Sequence, residues 1–384
     1  MGVKRELSQK TRYREIGKLF SLFSHIKLLK ELEVSSTEDY NNFLRMDLEL
    51  FHDLLFKVKP FIEKQNTQMR DSISPQLRLS TTLRYLAGGA TYEDLKFLTA
   101  IAPQTIGKIV IETCEAIIST LKEYIQMPRN EEAWKEIASN FNSRWNFPNC
   151  LGAIDGKHVA IKKPANSGSH YFNYKKTHSI VLMLIADANY EIIMADIGSN
   201  GRISDGGVFT ATKFYERLQE NRLKLPDPIE LPNFPEKVPY VFIADDAFPL
   251  KEHIIMKPYS RRALTLEEDI CNYRISRARW IVENVFGILA SRFRVLLTTI
   301  NLSPEKSATI VLACCYLHNY LSKNRGQTYR EGNIRNENTH SGEELLPINN
   351  NTNTRNSTLF AKEVRDKFHT YFNTVGAVPF QQTV

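Results

Sequence analysis

Cysteine is scarce in this sequence and follows no pattern. The five cysteines show neither CxxC spacing nor a Cys/His arrangement, so neither a zinc site nor a disulfide framework is indicated. The sequence also lacks an N-terminal apolar signal, and no apolar run is long enough to cross a membrane. We therefore expect a protein of a reducing intracellular compartment without a membrane partner.

Acidic residues are outnumbered by basic ones. The 50 Lys and Arg against 43 Asp and Glu give a net charge of +7, and the pI is about 9.0. A basic balance favours an anionic partner, although many proteins of this charge bind none. The 384 residues, 42% of them hydrophobic, predict an ordinary globular protein of two or three domains. A basic cluster within residues 4–14 fits either nuclear entry or a solvated terminus.

Hydrophobic periodicity and its interruptions divide the chain into five predicted parts. The expected organisation is a helical region at 1–75, a helix-turn-helix-like region at 76–125, an α/β core at 149–322, a disordered linker at 323–358, and a C-terminal helix and tail at 359–384. In the first region we expect a basic helix over 7–32 and a second helix that begins near Phe43 and is stopped by Pro60. The linker prediction rests on an Asn- and Glu-rich composition with few apolar residues.

The helix boundaries predicted in region 76–125 have the spacing of a helix-turn-helix. A helix ends at Gly88 and Gly89, a short helix begins after Thr91, and a third helix runs from Gln104 to Leu121. Gln104 and Lys108 would face DNA from the first turns of the third helix. The alternative is a plain three-helix packing unit, because that helix carries few cations.

The core region predicts a mixed sheet flanked by helices. Three successive antiparallel strands (150–162, 180–186 and 192–198) precede a helix, a proline-spaced linker and a fourth strand at 240–244. Helices at 266–289 and 304–321 close the domain. This order of elements is the one expected of an RNase H-like fold.

Three acidic residues in this core are candidate metal ligands. Asp155 and Asp245 each follow an apolar strand, and Glu283 lies on the helix that begins at 266. Two strand-end aspartates and a helical glutamate can hold two Mg²⁺ ions, the arrangement that cuts and joins phosphodiesters. Taken singly, Asp155 fits a common Asp-Gly turn and Glu283 fits a solvated helix position.

The residues around these acids resemble the DDE domain of Harbinger (PIF) transposases and their domesticated relatives, from Phe43 to the C-terminus. The matching segments are Ala-Ile-Asp-Gly-Lys-His at 153–158, His-Tyr-Phe-Asn-Tyr-Lys-Lys-Thr-His-Ser at 170–179, Ser-Asp-Gly-Gly-Val-Phe at 204–209, Asp-Asp-Ala-Phe-Pro at 245–249, Arg-Trp-Ile-Val-Glu-Asn-Val-Phe-Gly at 279–287, Arg-Phe-Arg at 292–294 and Leu-His-Asn at 317–319. At the second motif the family usually has Gly-Asp-Ser-Gly-Tyr-Pro.

The resemblance implies that Asp155, Asp245 and Glu283 are catalytic and bind two Mg²⁺ or Mn²⁺ ions, with DNA ends as the substrate. It also implies a Myb-like accessory protein, a homo-oligomer and a nuclear location. Cations interleaved with aromatics suit a phosphate backbone and unstacked bases. The candidate DNA-binding residues, besides Gln104 and Lys108, are Lys157, His158, Tyr174, Lys175, Lys176, His178, Arg292 and Arg294.

Three functions follow from the resemblance. The first is an active transposase that cleaves its element's ends and catalyses strand transfer. The second is a domesticated, catalytically silent DNA-binding or adaptor protein. The third is a host nuclease of the same fold that selects DNA by structure. Terminal inverted repeats around the open reading frame would favour the first of these.

Overall fold

The computed structural model describes residues 25–68, 71–203, 205–245, 248, 255–256, 258–259, 264–330, 345–347 and 359–383. The chain divides into two units, one comprising 1–121 with 292–298 and the other 122–291 with 299–384. Most of the basic helix predicted over 7–32 lies outside the described residues. Among the helices that are described, none is long and apolar enough to cross a membrane.

The first unit is helical, and polar N-caps set several of its boundaries. Ser36, Asp47, Ser74 and Thr91 each accept a hydrogen bond from the backbone N–H three residues on. The helices are α1 His25–Ser35, α2 Thr37–Leu44, α3 Leu48–Ile62, α4 Pro75–Gly88, α5 Tyr92–Thr99 and α6 Pro103–Thr120, with a 3₁₀ helix at Arg294–Leu297.

The prediction of one helix from Phe43 to a stop at Pro60 is wrong at both ends. Arg45 adopts a left-handed conformation that ends α2, and Asp47 caps a new helix. Helix α3 continues through Pro60 because Val58 and Ile62 are buried and anchor its last turn on both sides of the proline. The three helices predicted between 76 and 121 form at the expected places.

The second unit contains the mixed sheet predicted from the order of elements. Its strand order is β3-β2-β1-β6-β7, in which β1 pairs antiparallel with β2 and parallel with β6. A short strand, β8, pairs with β1 outside this path. The strands are β1 Cys150–Ala160, β2 Ser179–Ala186, β3 Ile192–Asn200, β4 Ile229–Leu231, β5 Phe234–Val238, β6 Val241–Ile243, β7 Ile255–Met256 and β8 Leu346–Pro347.

Helices cover both faces of this sheet. The side chains of Ile154 and Phe242 point into a core formed with the helices that precede and follow the first three strands. The opposite face carries Asp155 and Lys157, because side chains alternate along a strand. The helices are α7 Glu131–Trp145, α8 Asp205–Thr210, α9 Lys213–Gln219, α10 Leu266–Arg292, α11 Pro304–Arg325, α12 Gln327–Arg330 and α13 Leu359–Asn373, with 3₁₀ helices at Lys122–Tyr124 and Pro379–Thr383.

Two further expectations need correction. The proline-spaced linker contains the β4–β5 hairpin, because Asn233 adopts a positive φ of 58° in the turn and only Pro235 lies within a strand of this small two-stranded sheet. The range 323–358, predicted to be disordered, includes the end of α11, α12 and β8. Buried Tyr329 anchors α12 there through its hydroxyl, 3.1 Å from His318 Nδ1. The other residues of that range lie outside the described part of the chain.

Candidate active site

The register of the parallel strands places two of the predicted acids side by side. Ala153 of β1 pairs with Ile243 of β6, and Asp155 and Asp245 each follow two residues later. Parallel neighbours lie about 4.8 Å apart, and residues two apart in an extended chain share a face. The backbones of Asp155 and Asp245 are therefore neighbours, with Asp155 inside β1 and Asp245 two residues beyond the last residue of β6.

The strand predicted over 150–162 forms as β1 and continues through Gly156 to Ala160, so Asp155 lies inside it and the description of Asp155 as a strand-end residue is wrong. Pairing with β2 on one side keeps the backbone extended beyond the Asp-Gly step. As a result Asp155 is only 2% exposed, in the middle of a covered strand. A turn at this position is excluded.

Lys157 supplies a positive charge beside Asp155 on the same face. Its Nζ lies 2.9 Å from Asp155 Oδ2 and 5.8 Å from the centre of the Phe286 ring, so helix α10 crosses this face. Burial lowers the pKa of Lys157, but the carboxylates of Asp155 and Glu283 outweigh burial and raise it overall. Lys157 is thus held in its charged form.

Glu283 is paired within α10. Arg279, one turn earlier, places a guanidinium nitrogen 2.6 Å from Glu283 Oε1. Burial lowers the pKa of Arg279, yet Glu283, Asp155 and Asp245 raise it overall. All three predicted acids therefore act on this one guanidinium, and the Arg279–Glu283 pair belongs to the same charge cluster as the two aspartates.

The donor chemistry of this cluster suits a divalent metal ion. Carboxylate oxygens are the ligands that Mg²⁺ and Mn²⁺ prefer. Asp155 Oδ2 is buried, and its partner among the described residues is the Lys157 ammonium at 2.9 Å, so a metal ion would replace or share that contact. In the present side-chain conformations, no three His, Cys, Asp or Glu residues of the described chain lie close enough to hold a metal ion. The three acids are suitable ligands for a divalent metal ion, but their side chains must rearrange before they can bind one ion together.

The predicted DNA-binding residues of the loop before β2 reach the surface to different extents. Tyr174, Lys175 and Lys176 are exposed, whereas His178 is half-buried against the ring of Phe172. The Tyr174 hydroxyl donates a hydrogen bond to the carbonyl of Pro347 in β8 (2.8 Å). The two adjacent lysines are thus accessible cations of this loop.

His158 lies beneath the surface, at 3% exposure. Its Nδ1 is 2.9 Å from Ser179 Oγ, and its ring is 6.0 Å from that of Tyr174. Burial lowers the pKa of His158 to about 4, so the side chain is neutral near pH 7. The folded structure therefore offers no surface cation at this position, in contrast to the predicted DNA contact.

The remaining candidates belong to the first unit. Gln104 and Lys108 are exposed on α6, while Ile106, Ile109 and Val110 are buried, as the helical pattern predicted. Arg292 donates a hydrogen bond to the backbone carbonyl of Arg45 (3.2 Å), and Arg294 is exposed at the start of its 3₁₀ helix. A structural role for Arg292 is evident; DNA binding by these residues stays a prediction.

Arg279 is the functional candidate that sequence reasoning missed. The available signal was its position four residues before Glu283, a spacing that joins side chains along one helix face. Its importance depends on α10 crossing the sheet above Asp155, which the linear sequence does not reveal.

Comparison with known proteins identifies the domain around these acids. The family described as DDE superfamily endonuclease matches residues 154–319, a range that contains Asp155, Asp245 and Glu283. HARBI1 of Xenopus laevis, whose name describes a candidate nuclease, is 26% identical over 260 residues, covering 66% of this chain and 69% of that protein. No solved structure matches the chain.

Two Arabidopsis thaliana proteins are also similar. Protein ALP1-like is 24% identical over 255 residues, covering 65% of this chain and 61% of that protein. The protein named antagonist of like heterochromatin protein 1 is 23% identical over 252 residues, covering 65% of this chain and 63% of that protein. Residues 154–319 match the DDE superfamily endonuclease family, and over about two thirds of its length the chain is similar to HARBI1 and to the two Arabidopsis thaliana proteins.

Proposed function

We propose that this chain is a metal-dependent DNA endonuclease of the transposase type, which cleaves transposon ends and catalyses strand transfer. The observation that carries the proposal is the charge cluster on one face of the sheet, in which Lys157 pairs with Asp155 and Arg279 pairs with Glu283 while Asp155, Asp245 and Glu283 all raise the pKa of Arg279. Strong mutual electrostatic influence among buried charged groups is typical of functional sites. A DDE endonuclease domain takes DNA as its substrate. The phosphodiesters of DNA are therefore the groups on which this cluster of acids and cations would act.

In this proposal Asp155, Asp245 and Glu283 hold two Mg²⁺ or Mn²⁺ ions within an RNase H-like core. Divalent ions bound there would supply activation of the attacking water or DNA 3′-hydroxyl and stabilisation of the leaving oxygen. Asp155 occupies the central position, because its strand lies next to β6 and beneath α10. Lys157 brings a positive charge to the same place, where a phosphate group would be attracted.

The exposed lysines of the loop before β2 are proposed to contact the DNA backbone. Replacing Lys175 and Lys176 together with glutamine is expected to weaken binding to all duplexes and to reduce the slope of log K against log salt by about 2, since each phosphate contact contributes about 0.9. Fluorescence anisotropy across a salt series measures this slope.

A matched pair of exposed lysines provides the control. Lys306 and Lys362 lie on helices α11 and α13, and their double replacement removes the same charge from the chain. If both double variants change the slope equally, net charge alone explains the effect and the loop has no special role.

The proposed function is tested by cleavage of a supercoiled plasmid and of a labelled duplex that carries the repeats flanking the open reading frame. We expect nicked product in Mg²⁺ or Mn²⁺ and none when EDTA is present, because the three carboxylates alone supply no electrophile. Gel analysis of both substrates separates sequence-independent nicking from end-specific cleavage. Equal cleavage with and without EDTA would contradict a metal-dependent site.

The second candidate function is a DNA-binding or adaptor protein without nuclease activity. Two observations favour it: one relative is named for antagonism of a heterochromatin protein, and the motif at 244–249 departs from the family's usual sequence. Absence of nicking even with a Myb-like partner supplied would support this candidate. The partner, the homo-oligomer and the nuclear location remain proposals that fit either function.

A further inference from the structure

Two basic side chains occupy the space among the three acids. The side chains of Lys157 and Arg279 are only 16% and 20% exposed, and each lies within 3 Å of a carboxylate oxygen. Other ion pairs in the chain, such as Lys135 with Glu131 on α7, are about half exposed. Exposed pairs stabilise proteins little, whereas a buried charge needs a partner. The cluster therefore differs from the surface ion pairs and carries its own counter-ions.

The carboxylates would repel one another without these cations. Asp155 and Asp245 extend from neighbouring strands, and Glu283 approaches from the helix above, so their like charges are close in a partly dry environment. A metal ion would relieve this repulsion, and in its place Lys157 and Arg279 do so. The same carboxylate oxygens can thus pair either with Lys157 and Arg279 or with a bound metal ion.

Glu283 is the acid whose orientation depends on whether its carboxylate pairs with Arg279 or binds a metal ion. Its carboxylate is directed back along α10 to Arg279, at 2.6 Å, and in this arrangement no three acids of the described chain come together closely enough to hold a metal ion. Its side chain is 36% exposed, which leaves room for a change of rotamer. A guanidinium and a divalent cation on one carboxylate would repel each other.

We propose that Arg279 is a positioning residue that holds Glu283 away from the two aspartates until a divalent cation competes for the carboxylate. The inference rests on the proposed metal-dependent function and deepens it. Once Glu283 turns toward Asp155 and Asp245, the freed guanidinium of Arg279 lies beside the site, where it can bind a DNA phosphate. Arg279 thereby couples metal binding at the site to a new contact with a DNA phosphate.

The test compares Mn²⁺ binding by the full-length wild type and Arg279→Gln in the absence of DNA, using electron paramagnetic resonance of free Mn²⁺ and calorimetry. If Arg279 keeps Glu283 in the competent orientation for about 10% of the time, its removal tightens Mn²⁺ binding about tenfold. A variant damaged only in its folding would bind Mn²⁺ more weakly, so tighter binding excludes a folding defect as the cause.

Arg277→Gln is the matched control, since it removes the same charge from α10. Arg277 donates to the Asn146 side chain (3.2 Å) and lies over the Phe380 ring, away from the acids. It should bind Mn²⁺ like the wild type. Equal or weaker binding by Arg279→Gln overturns the inference but leaves the proposed metal site intact. Failure of both the wild type and Arg279→Gln to bind Mn²⁺ overturns the metal site and the inference with it.

A second measurement follows the guanidinium itself. Affinity for a short duplex, measured in Ca²⁺ to permit metal occupation while limiting cleavage, is expected to fall severalfold in Arg279→Gln, whereas affinity in EDTA should not change. A loss of equal size in both conditions would mean that Arg279 binds DNA whether or not Glu283 is released, which contradicts the proposed coupling.

Discussion

Replacing Asp155 with asparagine is expected to lower the rate of metal-dependent nicking on the order of 10³-fold, equivalent to about 4 kcal/mol of transition-state stabilisation. The substitution keeps the size of the side chain but removes the charge that lies between β6 and α10. Asparagine offers one neutral carbonyl oxygen where the aspartate offers two charged ones. Initial rates on a supercoiled plasmid in Mg²⁺ measure the loss.

Asp155→Asn also changes the environment of Lys157. The ammonium loses its partner at 2.9 Å in a site where it is only 16% exposed. A buried charged group left without its partner costs about 1–3 kcal/mol, so a modest decrease in the free energy of unfolding should accompany the loss of activity. Circular dichroism during urea unfolding separates this decrease from a complete loss of the fold.

Asp187→Asn is the control for removal of a buried aspartate. Asp187 lies in the β2–β3 turn, where its carboxylate accepts hydrogen bonds from the backbone N–H groups of Asn189 and Glu191. Its replacement should reduce stability while nicking by the folded protein persists. Wild-type nicking by Asp155→Asn would show that the central carboxylate has been wrongly assigned.

Trp134→Ala is expected to lower the free energy of unfolding by about 3–5 kcal/mol. The indole is fully buried and meets the Phe242 ring of β6 edge-on, with the ring centres 5.6 Å apart. Its Nε1 donates a hydrogen bond to the carbonyl of Leu223 at 2.8 Å. Since β6 leads directly to Asp245, a cavity behind this strand should also reduce nicking at temperatures well below the unfolding midpoint.

Two further variants resolve the origin of this effect. Trp134→Phe keeps most of the ring but leaves the Leu223 carbonyl without its partner, so a smaller loss of about 1–2 kcal/mol is expected. Leu266→Ala removes a side chain that is 66% exposed at the start of α10 and should change stability by less than about 0.5 kcal/mol. Equal losses for alanine at positions 134 and 266 would contradict the packing described for Trp134.

Strands with a continuous apolar sequence were predictable because such a run predicts a strand that is buried on both faces. The run Ser179–Ala186 is buried at every position, and it forms the strand between β1 and β3. The sequence also predicted the three acids as a site, and the structure places Asp155 beside Lys157 and Glu283 beside Arg279, while their role as metal ligands stays a prediction. Family resemblance then indicated which acids belong together.

Features that depend on tertiary register were not predictable from the linear pattern. The predicted strand 150–162 contained Asp155, but the sequence did not show the pairing with β2 that overrides the turn preference of Asp-Gly there. His158 is buried because it is covered by Tyr174 of the loop before β2 and bonded to Ser179 at the start of β2. Arg279 gains its significance only when α10 crosses the sheet. Each case is a contact between segments distant in sequence.

The parallel pairing of β1 with β6 also has a consequence for the order of folding. Ala153 and Ile243 are ninety positions apart, so their pairing closes a long loop at an entropic cost that local hairpins such as β2–β3 avoid. We expect the β1–β2–β3 meander to form early and the Asp155–Asp245 neighbourhood to form last. During synthesis, the acidic cluster would stay unassembled until most of the core has left the ribosome, and nuclease competence would then appear in a single late step.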